Sequence, residues 1–294
     1  MTCLNADLVN VDSFPGHVNE FIKQVIKILQ SSMLDDKFAV FVFGSLSHKR
    51  DHASIKNGTS DVDLLIIIKD DSSTQLHYLW RKLNTLQRKF FDAEQKKTSV
   101  VSHILQAIER QTGMHESIFL AREKDFKDVR FSNIFKTNKF LSKILAPSNI
   151  VIGSALCHIT FVHGNKDIEN TVKAMQASIG TEEHILPDLI KSLLMNTLLS
   201  LGGIFLLPFT KRATRYAIEA TKWSMYAATY LMIGERPSKP SQKRFFERLG
   251  IASAFLNRWL RLSIVYEPDT RFTIIALINI LKIHAMGFKI KKVR

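Results

Sequence analysis

The stretch FVFGSLSHKRDHASIKNGTSDVDLLIII, residues 41–68, decides the predicted fold of this chain. It runs an apolar strand into a polar loop and then places Asp61 and Asp63 at the start of a second apolar strand, 61–68. Strand interiors disfavour Asp, and a buried carboxylate without a partner is costly. The two acids therefore need a chemical reason to be there.

The two aspartates are expected to share one face of the second strand, because residues two apart on a strand point to the same side. Two carboxylates so close repel each other, and one of them would normally hold a proton. A divalent cation removes the conflict, since Mg²⁺ is bound by one or two carboxylates together with substrate phosphate oxygens. Asp61 and Asp63 are therefore predicted to be metal ligands.

The end of the preceding strand, predicted over 37–43, supplies the other half of the site. Gly44 would let a phosphate approach the backbone closely, and Ser45 adds a hydroxyl donor. The two strands together are predicted to hold a metal-bound triphosphate, which is the arrangement that phosphoryl transfer requires.

This pattern resembles the signature of the nucleotidyltransferases related to DNA polymerase beta, and most closely their minimal and aminoglycoside-type branch. The signature is a hydrophobic residue, Gly-Ser, a spacer, and then Asp-hydrophobic-Asp-hydrophobic. Here Phe43-Gly44-Ser45 is followed by Ser60-Asp61-Val62-Asp63-Leu64, with a spacer, 46–60, that is somewhat longer than usual. The close match covers about 30 residues, and the order of predicted elements extends it over roughly the first 165.

The resemblance implies a reaction and a set of ligands. Asp61 and Asp63 would bind two Mg²⁺ (or Mn²⁺) ions, with Gly44, Ser45 and Ser60 around the nucleotide phosphates. An acceptor hydroxyl would attack the α-phosphorus of a nucleoside triphosphate in line, and pyrophosphate would leave. ATP is the expected substrate, so that AMP is transferred.

Two further residues follow from the resemblance. Glu116, in TGMHESIFLARE, is the candidate for a third carboxylate that ligates the second ion or takes the proton of the acceptor hydroxyl. If Glu116 does not hold this place, the site has only two carboxylates. Lys222, in the predicted helix RATRYAIEATKWSMYAATYLMIGE, is the candidate nucleotide ligand, with Arg215 and Tyr226 as alternatives.

The pattern of elements and charge predicts two domains. Strand and helix signals alternate through 1–170, which predicts an α/β (α+β) domain with a mixed sheet, and the resemblance implies that it is a nucleotidyltransferase domain. Helices are predicted over 17–32 and 74–91, and residues 148–162 are predicted as a helix leading into a strand without a defined boundary; His158 and His163, which flank this strand, are assigned to packing. Residues 171–294 are predicted to be helical throughout, with five helices from residue 186 onward. The net charge of +14 is concentrated late in the chain, where residues 185–294 hold 18 Lys and Arg against 6 Asp and Glu. Such a basic region attracts phosphates or is simply solvated.

The sequence is expected to be that of a cytoplasmic protein. Its two cysteines, Cys3 and Cys157, form no spacing pattern, and the first residues show no signal peptide. Residues 193–209 are uncharged, but Asn, Gly and Pro interrupt them, so we predict a buried core helix and no membrane partner. Oligomeric state does not follow from the sequence.

Three functions remain open at this point. The first is the transferase, acting on a small molecule, a protein side chain or an RNA end. The second is a nucleotidyltransferase fold without turnover that serves as a binding or regulatory module, like an antitoxin. The third is a nucleic-acid-binding protein that uses its basic helices, for which steeply salt-dependent affinity is expected.

Overall fold

The computed structural model divides the chain into two compact units. A sheet unit comprises residues 2–142 and 155–179, and a helical unit comprises residues 143–154 and 180–294. Within them the structure describes residues 14, 16–44, 62–69, 73–91, 118–135, 137–179, 185–234 and 238–291. Each unit is described by itself.

The sheet unit is built on a mixed sheet. Among the described residues its strands are β1 (Phe38–Phe43), β2 (Asp63–Ile68), β3 (Ile118–Arg122) and β4 (Thr160–Gly164). The order across the sheet is β3-β2-β1-β4. β1 is antiparallel to both β2 and β4, and β2 is parallel to β3. The small mixed sheet followed by helices agrees with the predicted α/β region and helical remainder.

One face of the sheet is covered by two amphipathic helices, α1 (Gly16–Gln30) and α2 (Ser73–Phe91). Alternate strand residues point into this core, among them Val42 and Leu64, which pair across β1 and β2. The predictions of a helix over 17–32 and a helix over 74–91 are confirmed. Their apolar residues recur every three or four positions, which is the signal that sequence reasoning detects best.

The other face of the sheet is equally apolar. Phe41, Leu65 and Phe119 are buried on it, so the central strands have no polar side. This explains why the sequence shows a continuous apolar run after Asp63 rather than an alternating one.

Short helices connect the later strands. They are α3 (Glu123–Lys127), α4 (Phe131–Ile134), α5 (Lys139–Leu145), α6 (Ser148–Leu156) and α7 (Lys166–Ser178). Residues 148–162 were predicted as a helix leading into a strand without a defined boundary. The structure ends the helix at Leu156 and begins β4 at Thr160.

Charged residues at the carboxyl end of β3 pair with one another. Arg122 Nε lies 2.7 Å from one oxygen of the buried Asp125, and Asn133 Nδ2 lies 2.8 Å from the other. Burial opposes ionisation of Asp125, but these hydrogen bonds and the charges of Arg122 and Arg130 outweigh it and hold the pKa of the carboxyl below its usual value. The cluster is a satisfied structural ion pair.

The helical unit contains the five long helices that the sequence predicts. They are α8 (Ile185–Leu206), α9 (Ala213–Ile233), α10 (Lys239–Arg248), α11 (Ser253–Ile264) and α12 (Thr270–Lys291). α8, α9 and α12 pack against one another, and α9 is buried along most of its length. Trp259 and Phe246 are fully buried where α10 and α11 join this group.

Two of these helices are long and apolar enough to cross a membrane, namely Leu186–Leu206 and Thr270–Lys289. The criterion is length and composition alone, which core helices of soluble proteins also meet. The predicted core helix over 193–209 is confirmed as a helix to Leu206, but only one of its sides is buried.

His284 is buried between α8 and α12. Its Nδ1 donates to the carbonyl oxygen of Ile280 at 2.9 Å, which leaves Nε2 to accept from the hydroxyl of Ser192 at 3.2 Å. Burial lowers the pKa of His284 to about 4, although the backbone hydrogen bond counteracts part of this effect. The imidazole is therefore neutral in the folded protein at pH 7.

We predict that the helical unit loses stability as the pH falls. His284 titrates near 6.5 when the chain is unfolded and near 4 when it is folded, so protonation favours the unfolded state in this interval. The full effect is about 3 kcal/mol. The effect should be measurable by urea titrations between these pH values. In a Trp80→Phe background, the fluorescence of Trp223 and Trp259 reports on unfolding of the helical unit.

The comparison variant is His284→Gln. Its free energy of unfolding should depend less steeply on pH over the same interval, whatever its stability at pH 7. An unchanged slope would assign the pH dependence to other groups.

Candidate active site

Four chain segments meet at one edge of the sheet. β1 is antiparallel to β2 and β4, and β3 is parallel to β2. The carboxyl end of β1 therefore lies at the same end of the sheet as the amino ends of the other three strands. Phe43 pairs with Asp63, and Leu64 pairs with Ile118 of β3. On the other side, Val42 pairs with Thr160 of β4. We call this the site edge, made of Gly44, Asp63, Ile118 and Thr160.

Gly44 and Asp63 touch at the site edge. Gly44 has φ +77, in the left-handed region that favours glycine. A Cβ built there would overlap Oδ2 of Asp63 and lie 3.1 Å from Cγ. Both the backbone conformation and the close approach therefore require glycine at this position.

Asp63 shares its face of the sheet with aromatic side chains. The residue is half-buried, and it lies on the same sheet face as Phe43 and Leu65. The Phe43 and Phe119 rings meet with centroids 5.4 Å apart, and Phe119 in turn contacts Phe135 at 4.9 Å. A charge with an apolar neighbour on one side is less screened by water, so Asp63 would attract a cation more strongly than a fully solvated acid.

Four of the predicted site residues lie outside the residues that the structure describes. They are Ser45, Ser60, Asp61 and Glu116. Their roles stay predictions.

Lys222 lies on α9, in the helical unit. Its ammonium group bonds to the carboxylate of Glu219, one turn earlier, and sits 5.6 Å from the centroid of the Trp223 ring. Burial opposes ionisation of Glu219, but the charge and hydrogen bond of Lys222 outweigh it and lower the pKa of that carboxyl. Lys222 thus has an ion-pair partner on its own helix, and its predicted contact with nucleotide stays a prediction.

Sequence reasoning overlooked two polar residues near the site edge. His158, assigned to packing from its sequence context, lies two residues before β4, and Thr160 is the first residue of that strand. The pairing of β4 with β1 is what brings both residues near the site edge. This pairing joins segments far apart in sequence, so a local sequence pattern does not reveal it. His163, further along β4, lies elsewhere, because it pairs with Val40 and contacts Asp35 at 3.3 Å.

Among the described residues, the site edge offers one carboxylate, that of Asp63, as a ligand for a hard cation. In the described ranges no group of three or more His, Cys, Asp or Glu lies together, and of the three predicted metal ligands only Asp63 belongs to those ranges. Asp63 is half-buried, and its Oδ2 occupies the place that a Cβ at Gly44 would take. Mg²⁺ is bound in this way, by few carboxylates and the oxygens of water and phosphate.

We predict that the effects of Gly44→Ala and Asp63→Ala on the free energy of unfolding are coupled. Gly44→Ala should lower the free energy of unfolding by about 1–3 kcal/mol, because it adds a strained φ and an overlap with the carboxylate. In the Asp63→Ala background the overlapping atom is gone, so the cost should be smaller. Denaturant titrations of the four proteins of this double-mutant cycle give the coupling energy.

Gly250→Ala is the matched control for the strained backbone. Gly250 has φ +93, and a Cβ there would meet no atom within 4 Å. The loss of stability caused by Gly250→Ala should be the same whether residue 63 is Asp or Ala. If Gly44→Ala behaves like Gly250→Ala in both backgrounds, the contact between Gly44 and Asp63 does not exist in solution.

No protein-family model matches this chain, and no curated protein or solved structure matches it. The site edge combines a half-buried carboxylate, a glycine turn against it and aromatic rings on the same face of the sheet.

Proposed function

We propose that the sheet unit is a metal-dependent nucleotidyltransferase of the DNA polymerase beta type. It would move a nucleoside monophosphate from a nucleoside triphosphate, with ATP as the expected donor, onto an acceptor hydroxyl. The observation that carries the proposal is the contact between the Gly44 turn and the Asp63 carboxylate at the site edge. A phosphate needs a backbone without a side chain, and a cation needs a carboxylate, and these two features are adjacent here.

The order of the strands supports the proposed ligand set. β3 begins at Ile118, whose partner is Leu64, the neighbour of Asp63. In the sequence, Glu116 comes two residues before this strand and Asp61 two residues before Asp63. Asp61, Asp63 and Glu116 would together hold two Mg²⁺ or Mn²⁺ ions, with Gly44, Ser45 and Ser60 at the phosphates.

The proposed reaction forms one bond and breaks one bond. The acceptor oxygen bonds to the α-phosphorus, the bond from that phosphorus to the bridging oxygen of pyrophosphate breaks, and the hydroxyl proton passes to Glu116 or to water. Divalent ions held by these carboxylates would supply positive charge that offsets the growing negative charge on the phosphates and lowers the pKa of the hydroxyl. The chain itself would position the carboxylates, and Phe43 and Phe119 would limit the access of water to the sheet face on which Asp63 lies.

We predict that Asp63→Asn abolishes transfer. The full chain is incubated with α-labelled nucleoside triphosphates, Mg²⁺ or Mn²⁺, and a cell extract as the source of acceptors. Transfer of label should fall by at least about 100-fold in Asp63→Asn, because the amide cannot replace a charged ligand worth several kcal/mol of charge stabilisation. Urea stability measured alongside shows that the variant is folded.

Asp167→Asn is the matched control. Asp167 is an exposed carboxylate near the opposite end of the sheet, where it pairs with Lys69 at 3.3 Å. Its loss should leave transfer unchanged, since exposed ion pairs contribute little. Absence of transfer with every nucleotide and metal would reject the enzyme and favour a binding module, and equal transfer by Asp63→Asn would reject the proposed site.

A further inference from the structure

Helix α8 turns one row of polar residues inward and one row of apolar residues outward. Every fourth residue from position 188 is polar and at most 3% exposed: Asp188, Ser192, Asn196 and Ser200. The residues two positions earlier lie on the opposite side of the helix and are 43–52% exposed: Leu186, Ile190, Leu194 and Leu198. This is the reverse of the usual arrangement in a water-soluble helix.

Specific hydrogen bonds hold this orientation. Oδ2 of Asp188 accepts from the backbone N–H groups of Asn149 and Ile150, at 2.6 and 3.3 Å, in the first turn of α6. Ser192 bonds to His284 of α12, and Nδ2 of Asn196 donates to the Ser192 hydroxyl at 3.1 Å. Rotating α8 to bury its leucines would leave these buried polar partners unsatisfied, so the apolar side must face outward.

Helix α12, which packs against α8, continues the apolar surface. Ile274, Ile278 and Leu281 are 46–54% exposed on it, while Thr273 and His284 of the same helix are fully buried. We call the exposed apolar residues of the two helices the outer face: Leu186, Ile190, Leu194, Leu198, Phe205, Ile274, Ile278 and Leu281. Seven of these residues are 43–54% exposed and Phe205 is 75% exposed, which together amounts to apolar surface on the order of 600 Å². A surface of this size marks a place of interaction.

The charges beside the outer face have one sign. Arg271, Lys282 and Lys289 are exposed on α12, and Lys191 is half-exposed on α8. The only acidic residue in the sequence of the two helices is Asp188, which is buried. A second copy of the chain meeting this surface through α12 would bring like charges together, whereas anionic phosphates would be attracted.

The sequence alone predicted no membrane partner, but from the exposed apolar residues and the charges beside them we infer that the outer face docks on a membrane surface that contains anionic lipids. The leucines and isoleucines enter the boundary between headgroups and acyl chains, and the basic residues contact lipid phosphates. With its 22 residues, α8 offers a contact about 33 Å long, lying along the membrane rather than across it. This inference uses only residues of the helical unit and does not depend on the proposed transferase.

The test is co-sedimentation of the full chain with vesicles of two compositions. One is pure phosphatidylcholine, and in the other roughly one lipid in three is phosphatidylglycerol. We expect binding to the mixed vesicles, at least about tenfold weaker binding to the neutral ones, and a further decrease at high salt. Leu194→Gln/Leu198→Gln should reduce binding to the mixed vesicles by about tenfold or more.

Two further variants make the test specific. Ile264→Gln/Val265→Gln replaces two exposed apolar residues at the end of α11, outside the outer face, and should leave binding unchanged. Arg271→Glu/Lys282→Glu keeps the apolar residues and should abolish the preference for anionic vesicles. This variant also tests the inference if the glutamine variant is unstable.

Three results would overturn the inference. One is no binding to either vesicle, and another is equal binding by wild type and the outer-face variants. The third is a dimer in light scattering that Leu194→Gln/Leu198→Gln converts to monomer without any vesicle binding, which would make the outer face an interface between two copies.

Discussion

The pairing of β1 with β2 is the constraint on which the candidate site depends. Phe43 faces Asp63 across this pair, and Gly44, the residue that follows β1, turns against the carboxylate. Side chains alternate along a strand, so a slip of one residue would turn Asp63 toward the apolar core under α1 and α2. Val42 and Leu64, buried in that core, therefore hold the acid at the water-facing edge although they touch no ligand.

In the helical unit, buried hydrogen bonds determine which side of α8 faces outward. Its long helices are apolar on most sides, so burial of apolar surface alone does not select one rotation of α8. The bonds from Asp188 to the first turn of α6 and from Ser192 to His284 do select one, because an unsatisfied buried polar group costs more than partly exposed leucine. The apolar outer face follows from this choice.

Sequence reasoning succeeded where the signal is local. The amphipathic helices α1 and α2, the strand after Asp63 and the five helices beyond residue 185 are present where they were predicted, with ends that differ by a few residues. It left the end of α6 undefined and assigned His158 to packing, because both depend on how β4 pairs with a strand more than a hundred residues earlier. It also predicted a buried core helix over 193–209, and the structure buries only one side of it.

The amino-acid sequence by itself determined the chemistry that is available: a glycine-serine turn, a pair of strand acids with apolar residues behind them, and a basic helical remainder. These are properties of neighbouring residues. Tertiary structure alone decided that Gly44 meets Asp63, that phenylalanines from two separate segments form a wall beside them, and which side of α8 faces outward. Each of these outcomes joins segments distant in the chain, and only backbone pairing and buried hydrogen bonds select such partners.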